Sequence, residues 1–331
     1  MTQAAIDRPS LVVGAGSIGR RHLRNLQALG LTQVMVCDPD PERLANLDPP
    51  IARFSDFREA LATGQPEIVL ICTPPVFHVP QALEAVGAGA HVFVEKPLSD
   101  RLDKIDYLIE EASRRSLIVQ VGYNLRFNPG IRKLKQLIQG GVIGKVLWAR
   151  LEMGQYLPDW RPWQDYRNSY SARQDLGGGI ILDASHEIDY AIWLFGNPVE
   201  IVSMGGRVSG LEIDVEDCAT LLLRFASGCQ VDIHLDCIQR SYTRCCKIVG
   251  EQGTLDWNYS TGELKVFTSE AAKWIAVSYE VENNDVYVDE LRHFLACVEN
   301  GQEPLVDLNQ GRRVLEVALA AKAGVARTNI L

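Results

Sequence analysis

The 331-residue chain has no run of 18 apolar residues, and its start, MTQAAIDRPS, lacks the basic opening and apolar core of a secretory leader. Neither a membrane span nor secretion is expected. Positive charge is scarce: 33 Lys and Arg face 42 Asp and Glu, a formal net charge of −9, and there is no long basic run. That balance argues against a nucleic-acid or anionic-membrane partner. Paired cysteine spacing is absent too. None of the eight cysteines forms C-x-x-C, Cys245 and Cys246 are adjacent, and Cys72 and Cys218 lie in apolar, strand-like runs. They read as reduced core residues of a cytoplasmic protein rather than a disulfide framework. No His/Cys cluster stands at zinc spacing, so no metal is expected. Internal repeats and low-complexity linkers are also missing.

What is present suits two domains, because a chain of this length exceeds one small core. From Ser10 to Gly122, short apolar runs (LVV, VMVC, EIVLIC, HVFV, LIVQV) alternate with amphipathic stretches. The alternation predicts βαβ units and a parallel sheet covered on both faces. Beyond Gly122 the pattern changes, with a helix expected over about Pro129 to Gln139, strands from near Lys145, and a helix over roughly Gly179 to Leu194. VEIVSMGGRV, CATLLLRFA, GCQVDIHLDC, CKIVG, GTLDW, LKVFT and WIAVSYE then follow with short turns, and helices near Asp285 to Glu299 and Asn309 to Ala326 close the chain. This second set reads as an α+β domain on a large open, mainly antiparallel sheet. The expected division is 1–122 and 123–331, with the last helix free to pack back on the first domain.

The segment SLVVGAGSIGRRHLRNLQALG places Gly14, Gly16 and Gly19 in G-x-G-x-x-G spacing, after a strand and at the opening of a helix. Gly14 permits a tight turn, Gly16 lets a pyrophosphate approach the backbone, and Gly19 allows close helix-to-strand packing. The helix-opening amides around Ser17 and Ile18 then face the phosphates. The next strand ends at Asp38, 19 residues after Gly19. A carboxylate there accepts hydrogen bonds from both ribose hydroxyls and repels a 2′-phosphate, which favours NAD over NADP. With these features the first domain reads as a Rossmann doubly wound sheet and the whole chain as α/β. Arg20, Arg21 and Arg24 either touch phosphate or form an exposed basic helix face.

Ligands bind at the carboxyl ends of such strands. EIVLICTPPVFH ends in Thr73, Pro74 and Pro75, and proline's fixed φ and missing donor steer the chain away from the sheet. His78, which follows, either faces the dinucleotide or caps and packs. HVFVEKP delivers Glu95, Lys96 and Pro97 at another strand end. A lysine beside a nicotinamide can hydrogen-bond a substrate hydroxyl and share in proton transfer; the alternative is a charged surface turn.

Together with G-Y-N-L-R-F-N-P (Gly122 to Pro129) and L-G-G-G-I-I-L-D (Leu176 to Asp183), these motifs resemble the Gfo/Idh/MocA family, which includes glucose-fructose oxidoreductase and inositol dehydrogenase. The resemblance spans nearly the whole chain in order. It implies oxidation or reduction of a ring hydroxyl of a sugar or cyclitol with NAD or NADP, and a homodimer or homotetramer formed through the C-terminal sheet. By the same resemblance Lys96 is catalytic, with Glu95 and Pro97 orienting it through a cis Lys96–Pro97 bond. Cofactor contacts fall to the glycine turn, Asp38, Thr73, Pro74, His78, Glu95, Lys96 and Asn124, and substrate contacts to Tyr123, Arg126 and Asp183. A histidine opening the next helix is the acid or base, its ordinary pKa suiting proton transfer near neutrality.

DASHEID departs from the family pattern. It sets His186 three residues after Asp183, where the family has four, while His186 still precedes Asp189 by three. A one-residue deletion before the helix accounts for this. Inside a helix it would rotate the side chain by about 100°, so Glu187 is the rival for the position. The stretch LPDWRPWQDYRNSYSARQDLGGG is dense in aromatics and arginines. Trp160, Trp163, Tyr166 and Tyr170 offer flat faces to a sugar ring, and Arg161, Arg167 and Arg173 offer forks for carboxylate or phosphate. An anionic or nucleotide-linked sugar would use both. The alternative is a self-packed loop or a dimer contact. The D-Y-R-x-S-Y-S-A-R and S-H-E-I-D-Y wording resembles a branch of the family found among surface-polysaccharide sugar enzymes, which implies a modified or activated sugar rather than free inositol, so the expected enzyme is an NAD-dependent sugar-type dehydrogenase of such a substrate. The rivals are an NAD-assisted glycoside-cleaving enzyme without net redox change and a non-catalytic dinucleotide-binding protein.

Overall fold

The computed structural model describes residues 7–45, 47, 51–279, 282 and 284–325. Its elements run β1 (Ser10–Val13), α1 (Ser17–Ala28), β2 (Val34–Cys37), α2 (Pro41–Leu44), β3 (Ala52–Phe54), α3 (Phe57–Gly64), β4 (Ile68–Ile71), α4 (His78–Gly87), β5 (His91–Glu95), α5 (Ile105–Arg114), β6 (Val119–Gly122) and α6 (Pro129–Gln139). They continue with β7 (Val146–Gly154), α7 (Leu157–Trp160), α8 (Ile180–Asp183), α9 (His186–Phe195), β8 (Pro198–Gly206), β9 (Cys218–Phe225), β10 (Gln230–Asp236), β11 (Thr243–Gly250), β12 (Gly253–Asn258), β13 (Glu263–Thr268), β14 (Lys273–Val277), α10 (Asp285–Asn300) and α11 (Leu308–Val325). Two compact units result: the chain through Asn124 with Asn284–Arg313, and Leu125–Asn283 with the chain from Val314.

The first unit holds a six-stranded sheet of order β3-β2-β1-β4-β5-β6, parallel throughout. SLVV and IVLI are buried at every position, as both-face coverage of a parallel sheet requires. The inner face of α1 (Leu23, Leu26) joins Val12, Val36 and Leu70 in one core, and α10 adds Leu291, Phe294 and Val298 to it. Strand order reverses between β1 and β4, which puts the ligand crevice at their carboxyl ends.

The second unit carries an eight-stranded sheet of order β14-β13-β12-β11-β7-β10-β9-β8. Its pairs are antiparallel except β7 with β10, which run parallel. β9 shows the period of two expected of a half-covered strand: Ala219, Leu221, Leu223 and Phe225 are buried, while Leu222 and Arg224 face outward. The fold is thus α/β with a second, mainly antiparallel sheet, as expected. No helix of the described residues is long and apolar enough to cross a membrane, and all eight cysteines are free thiols.

One expected element is different. The helix anticipated from Gly179 to Leu194 is broken at Ala184 and Ser185, so that α8 ends at Asp183 and α9 begins at His186. A continuous helix would stack Asp183 and Glu187 on one face, four residues apart. The break sends the two carboxylates to different partners, Tyr170 and Arg244.

Candidate active site

In the first unit the three glycines answer to different constraints. Gly14 has φ +95°, and a Cβ there would stand 2.7 Å from the Cys72 carbonyl oxygen; one on Gly19 would stand 1.8 Å from the Gly14 carbonyl oxygen. Packing demands both. A Cβ on Gly16 would meet nothing within 4 Å, so the space beside this turn is open. Gly16 gives α1 no side-chain cap, and the first turn of α1 carries no acidic residue. An uncapped, positively polarised helix end beside open space fits a pyrophosphate.

Asp38, buried after β2, accepts hydrogen bonds from the amides of Ala15 (2.7 Å) and Asp40 (2.9 Å). Those bonds aim the carboxylate and leave each oxygen a further lone pair for a ribose hydroxyl. Arg43 stands 3.8 Å from the same carboxylate. Arg20 ties the carbonyls of Ala15 and Arg43 together, which links the glycine turn to α2. Arg21 lies over the ring of Tyr287, 4.3 Å from its centroid.

At the ends of β4 and β5, Thr73 donates its hydroxyl to Gln81, and the ring nitrogens of His78 lie 2.8 Å from the Pro97 carbonyl oxygen and 2.7 Å from that of Thr73. Burial lowers the pKa of His78, and the two carbonyls offset this only in part. Glu95 is buried, with one carboxylate oxygen 2.7 Å from His22 Nε2 and the other accepting the Lys96 amide at 3.2 Å. Burial pushes its pKa up, but the His22 contact and the Lys96 charge outweigh it and hold the carboxyl below the ordinary range. Lys96 is half-buried, and the Lys96–Pro97 bond is cis. Tyr123 and Asn124, just beyond β6, are buried.

In the second unit Asp183 ends α8, buried, and accepts the Tyr170 hydroxyl at 2.6 Å. The preceding glycines are forced by two close approaches. A Cβ on Gly178 would stand 2.1 Å from the Tyr170 carbonyl oxygen, and one on Gly179, at φ +111°, 2.4 Å from a Glu216 carboxylate oxygen. Glu216 in turn receives the amides of Ile180 and Ile181 through its backbone and side chain. Lys322 on α11 closes the arrangement, donating to the Gly178 carbonyl at 2.8 Å with Glu216 3.4 Å away.

His186 is half-buried as the first residue of α9. Because α8 and α9 are separate helices, the 100° argument for a one-residue deletion does not carry through from Asp183. Glu187, the rival, is buried and ion-paired with Arg244 at 2.8 Å.

The remaining expected substrate contacts have partners of their own. Arg126 is buried against Asp189, with three contacts of 2.7 to 3.1 Å. Trp160 donates its indole N–H to the Gln155 carbonyl, and Arg161 lies 5.8 Å from the Tyr170 ring centroid. Arg167 pairs with Asp165 and Glu212, Arg173 pairs with Asp175, and the Tyr166 hydroxyl accepts the Glu212 amide. Lys96 belongs to the first unit, and Asp183 and His186 to the second. The roles of His22, Glu216 and Lys322 had no expression in the sequence reading, and Tyr170 entered it only as an aromatic face.

Residues 10–123 match a family described as "Oxidoreductase family, NAD-binding Rossmann fold", and residues 131–256 match the GFO/IDH/MocA C-terminal domain. The chain is 29% identical over 328 residues to myo-inositol 2-dehydrogenase of Thermotoga maritima, covering 94% of each chain. Among solved structures, levoglucosan dehydrogenase in complex with NADH and levoglucosan superposes with a TM-score of 0.87 at 20% identity, over 97% of this chain and 98% of that one. The WlbA dehydrogenase of Bordetella pertussis, in complex with NADH and UDP-GlcNAcA, gives 0.82 at 21% identity over 97% of both. These likenesses extend over the glycine turn, the E-K-P strand end and the G-G-G-x-x-x-D segment alike, and the chain is an oxidoreductase of the Gfo/Idh/MocA family.

Proposed function

We propose that the protein oxidises a ring CH–OH group of a cyclitol or sugar, with NAD as the partner of the exchange. The observation that carries this reading is the lysine at the carboxyl end of β5, held by the Glu95 carboxylate in the sheet that also bears the phosphate turn. Bound nicotinamide supplies the hydride acceptor. Lys96 would hydrogen-bond the reacting hydroxyl, His186 would take its proton, and Asp183 would hold a neighbouring hydroxyl of the ring. Tyr123 and Asn124 would line the cofactor end. Asp38, buried and already aimed, favours NAD over its 2′-phosphorylated form.

A neutral polyol suits the second unit better than an anion. Of the three forks on which an anionic or nucleotide-linked substrate depended, Arg167 and Arg173 are engaged by the carboxylates of Asp165 and Asp175, each two residues away, and Arg161 lies over the Tyr170 ring. The outward apolar side chains Val202, Met204 and Leu222 on β8 and β9 support assembly with a second copy through that sheet.

The test is NADH formation with a panel of cyclitols, neutral sugars, acidic sugars and nucleotide sugars, run with wild type and Lys96→Ala. Turnover on a neutral ring polyol that Lys96→Ala abolishes, with NADH binding retained, is the expected result. Undiminished turnover in Lys96→Ala would remove the mechanism, and sugar cleavage without net NADH would replace it with the glycoside-cleaving alternative. Asp38→Ala should weaken NADH binding by about tenfold or more and NADPH binding far less; equal losses would remove the cofactor assignment.

A further inference from the structure

We propose that His22 and His78 are positioning residues that fix Lys96 from its two sides, His22 through the Glu95 carboxylate and His78 through the Pro97 carbonyl. The inference rests on the reading of Lys96 as the group that meets the substrate hydroxyl. Neither histidine enters the chemistry proposed above, and both are buried, at 0% and 1% exposure. A buried imidazole is costly unless its nitrogens find partners, and three of the four here do, His22 Nδ1 having none among the described residues. Packing alone would be served by an apolar side chain, so the partners are what the two rings contribute.

His22 lies on α1, the helix that opens at the phosphate turn, with Phe93 and Tyr287 edge-on at centroid distances of 5.3 and 6.3 Å. Its Nε2 holds one Glu95 oxygen at 2.7 Å while the other takes the Lys96 amide at 3.2 Å. With both oxygens engaged, the carboxylate has a single orientation, and the backbone of Lys96 is fixed with it. His78 opens α4, and its Nδ1 is 2.8 Å from the carbonyl oxygen of Pro97. Its other nitrogen lies 2.7 Å from the Thr73 carbonyl oxygen; a neutral ring has one N–H to donate, and we assign it to Nδ1, toward Pro97. Lys96 is therefore the single residue between two anchors, one on the helix after β1 and the other on the helix after β4, the two strands that flank the crevice. An error of about 1 Å in such a group is enough to cost a large factor in rate.

Side-chain amides separate this from packing. The glutamine nitrogen stands where Nε2 does and the asparagine nitrogen where Nδ1 does. His22→Gln thus keeps the donor toward Glu95 and His22→Asn withdraws it, while His78→Asn keeps the Pro97 contact and His78→Gln keeps only Thr73. The readout is the ¹³C NMR signal of the reductively ¹³C-methylated Lys96 amine, assigned by its disappearance in Lys96→Ala, which needs no substrate. The signal is expected to move in His22→Asn and His78→Gln and to stay at the wild-type position in His22→Gln and His78→Asn, with all four proteins folded. Turnover in the two displaced variants should fall about tenfold relative to their amide counterparts, at unchanged NADH affinity. An unmoved signal in His22→Asn and His78→Gln, or equal movement in all four, would overturn the proposal. If the signal follows the expected pattern while Lys96→Ala retains full turnover, the positioning stands and the catalytic reading of Lys96 fails.

Discussion

Tyr170 donates its hydroxyl to Asp183 across 2.6 Å, and this bond ties the carboxylate at the end of α8 to the loop before it. A hydrogen bond to an ionised carboxylate contributes about 1.5–3 kcal/mol. Tyr170→Phe removes that donor and keeps the ring that Arg161 approaches. With the best substrate of the panel, kcat/KM should fall by roughly 10- to 100-fold while NADH affinity holds. An unchanged kcat/KM would show that Asp183 does not depend on Tyr170 for its function.

Gly16 and Gly19 separate cofactor binding from folding. A Cβ on Gly19 would lie 1.8 Å from the Gly14 carbonyl oxygen, so Gly19→Ala forces α1 away from β1. It should cost about 1–3 kcal/mol or prevent folding altogether. Gly16 has open space and extended backbone (φ −68°, ψ −170°), so Gly16→Ala should leave stability within about 0.5 kcal/mol of wild type. NADH affinity, read from nicotinamide fluorescence, should nevertheless drop at least about tenfold, because the methyl group takes the place of the pyrophosphate. Wild-type NADH binding by Gly16→Ala would contradict the phosphate-turn assignment.

Arg126 was expected to meet substrate, and its burial at 2% exposure against Asp189 at 0% points to stability instead. Burial pushes the Asp189 pKa up and Arg126 opposes it. Removing one partner of a buried pair costs about 3–5 kcal/mol, whereas replacing both with apolar residues is often neutral. Arg126→Met should therefore lose that much in urea unfolding, and Arg126→Met with Asp189→Leu should recover most of it. A raised KM in Arg126→Met with stability intact would restore the substrate role.

How much of this was legible depended on how far apart the partners lie in the chain. The Rossmann unit is written in windows of about thirty residues: SLVV, then the glycine turn, then an amphipathic helix, then VMVC ending at Asp38. α6 occupies the interval its Pro129 start and Gly140 stop indicated. Long-range pairing was not legible. Nothing near Gly178 announces Lys322, 144 residues downstream, and nothing near Arg126 marks Asp189, 63 residues away, as its partner. The break between α8 and α9, which sends Asp183 to Tyr170 and Glu187 to Arg244, was not legible either. The loop arginines are an instructive case: Asp165 and Asp175, each two residues from Arg167 or Arg173, were in plain view, yet an arginine fork suggests an external anion as readily as a local carboxylate.

Glu95 gives the pH behaviour its sign. Its folded pKa lies below the ordinary carboxylate value, since the His22 contact and the Lys96 charge and amide overcome the upward push of burial. A depressed folded pKa means that the stability Glu95 contributes is fully present above its unfolded pKa, about 4.3, and is lost as pH falls through the lower folded value. Glu95→Gln keeps the shape and removes the titration. The stability difference between wild type and Glu95→Gln, from urea unfolding at a series of pH values, should be constant from near-neutral pH down to about 5 and shrink below about 4. Other carboxylates titrate in both proteins and cancel in the difference, which isolates the residue next to Lys96. A difference that stayed constant down to the acid transition would mean that folding does not shift the Glu95 pKa, and one that moved in favour of wild type as pH fell from neutrality would mean that Glu95 is protonated in the folded protein. Its hold on the Lys96 amide would then be that of a neutral acid, roughly half as strong as the charged bond.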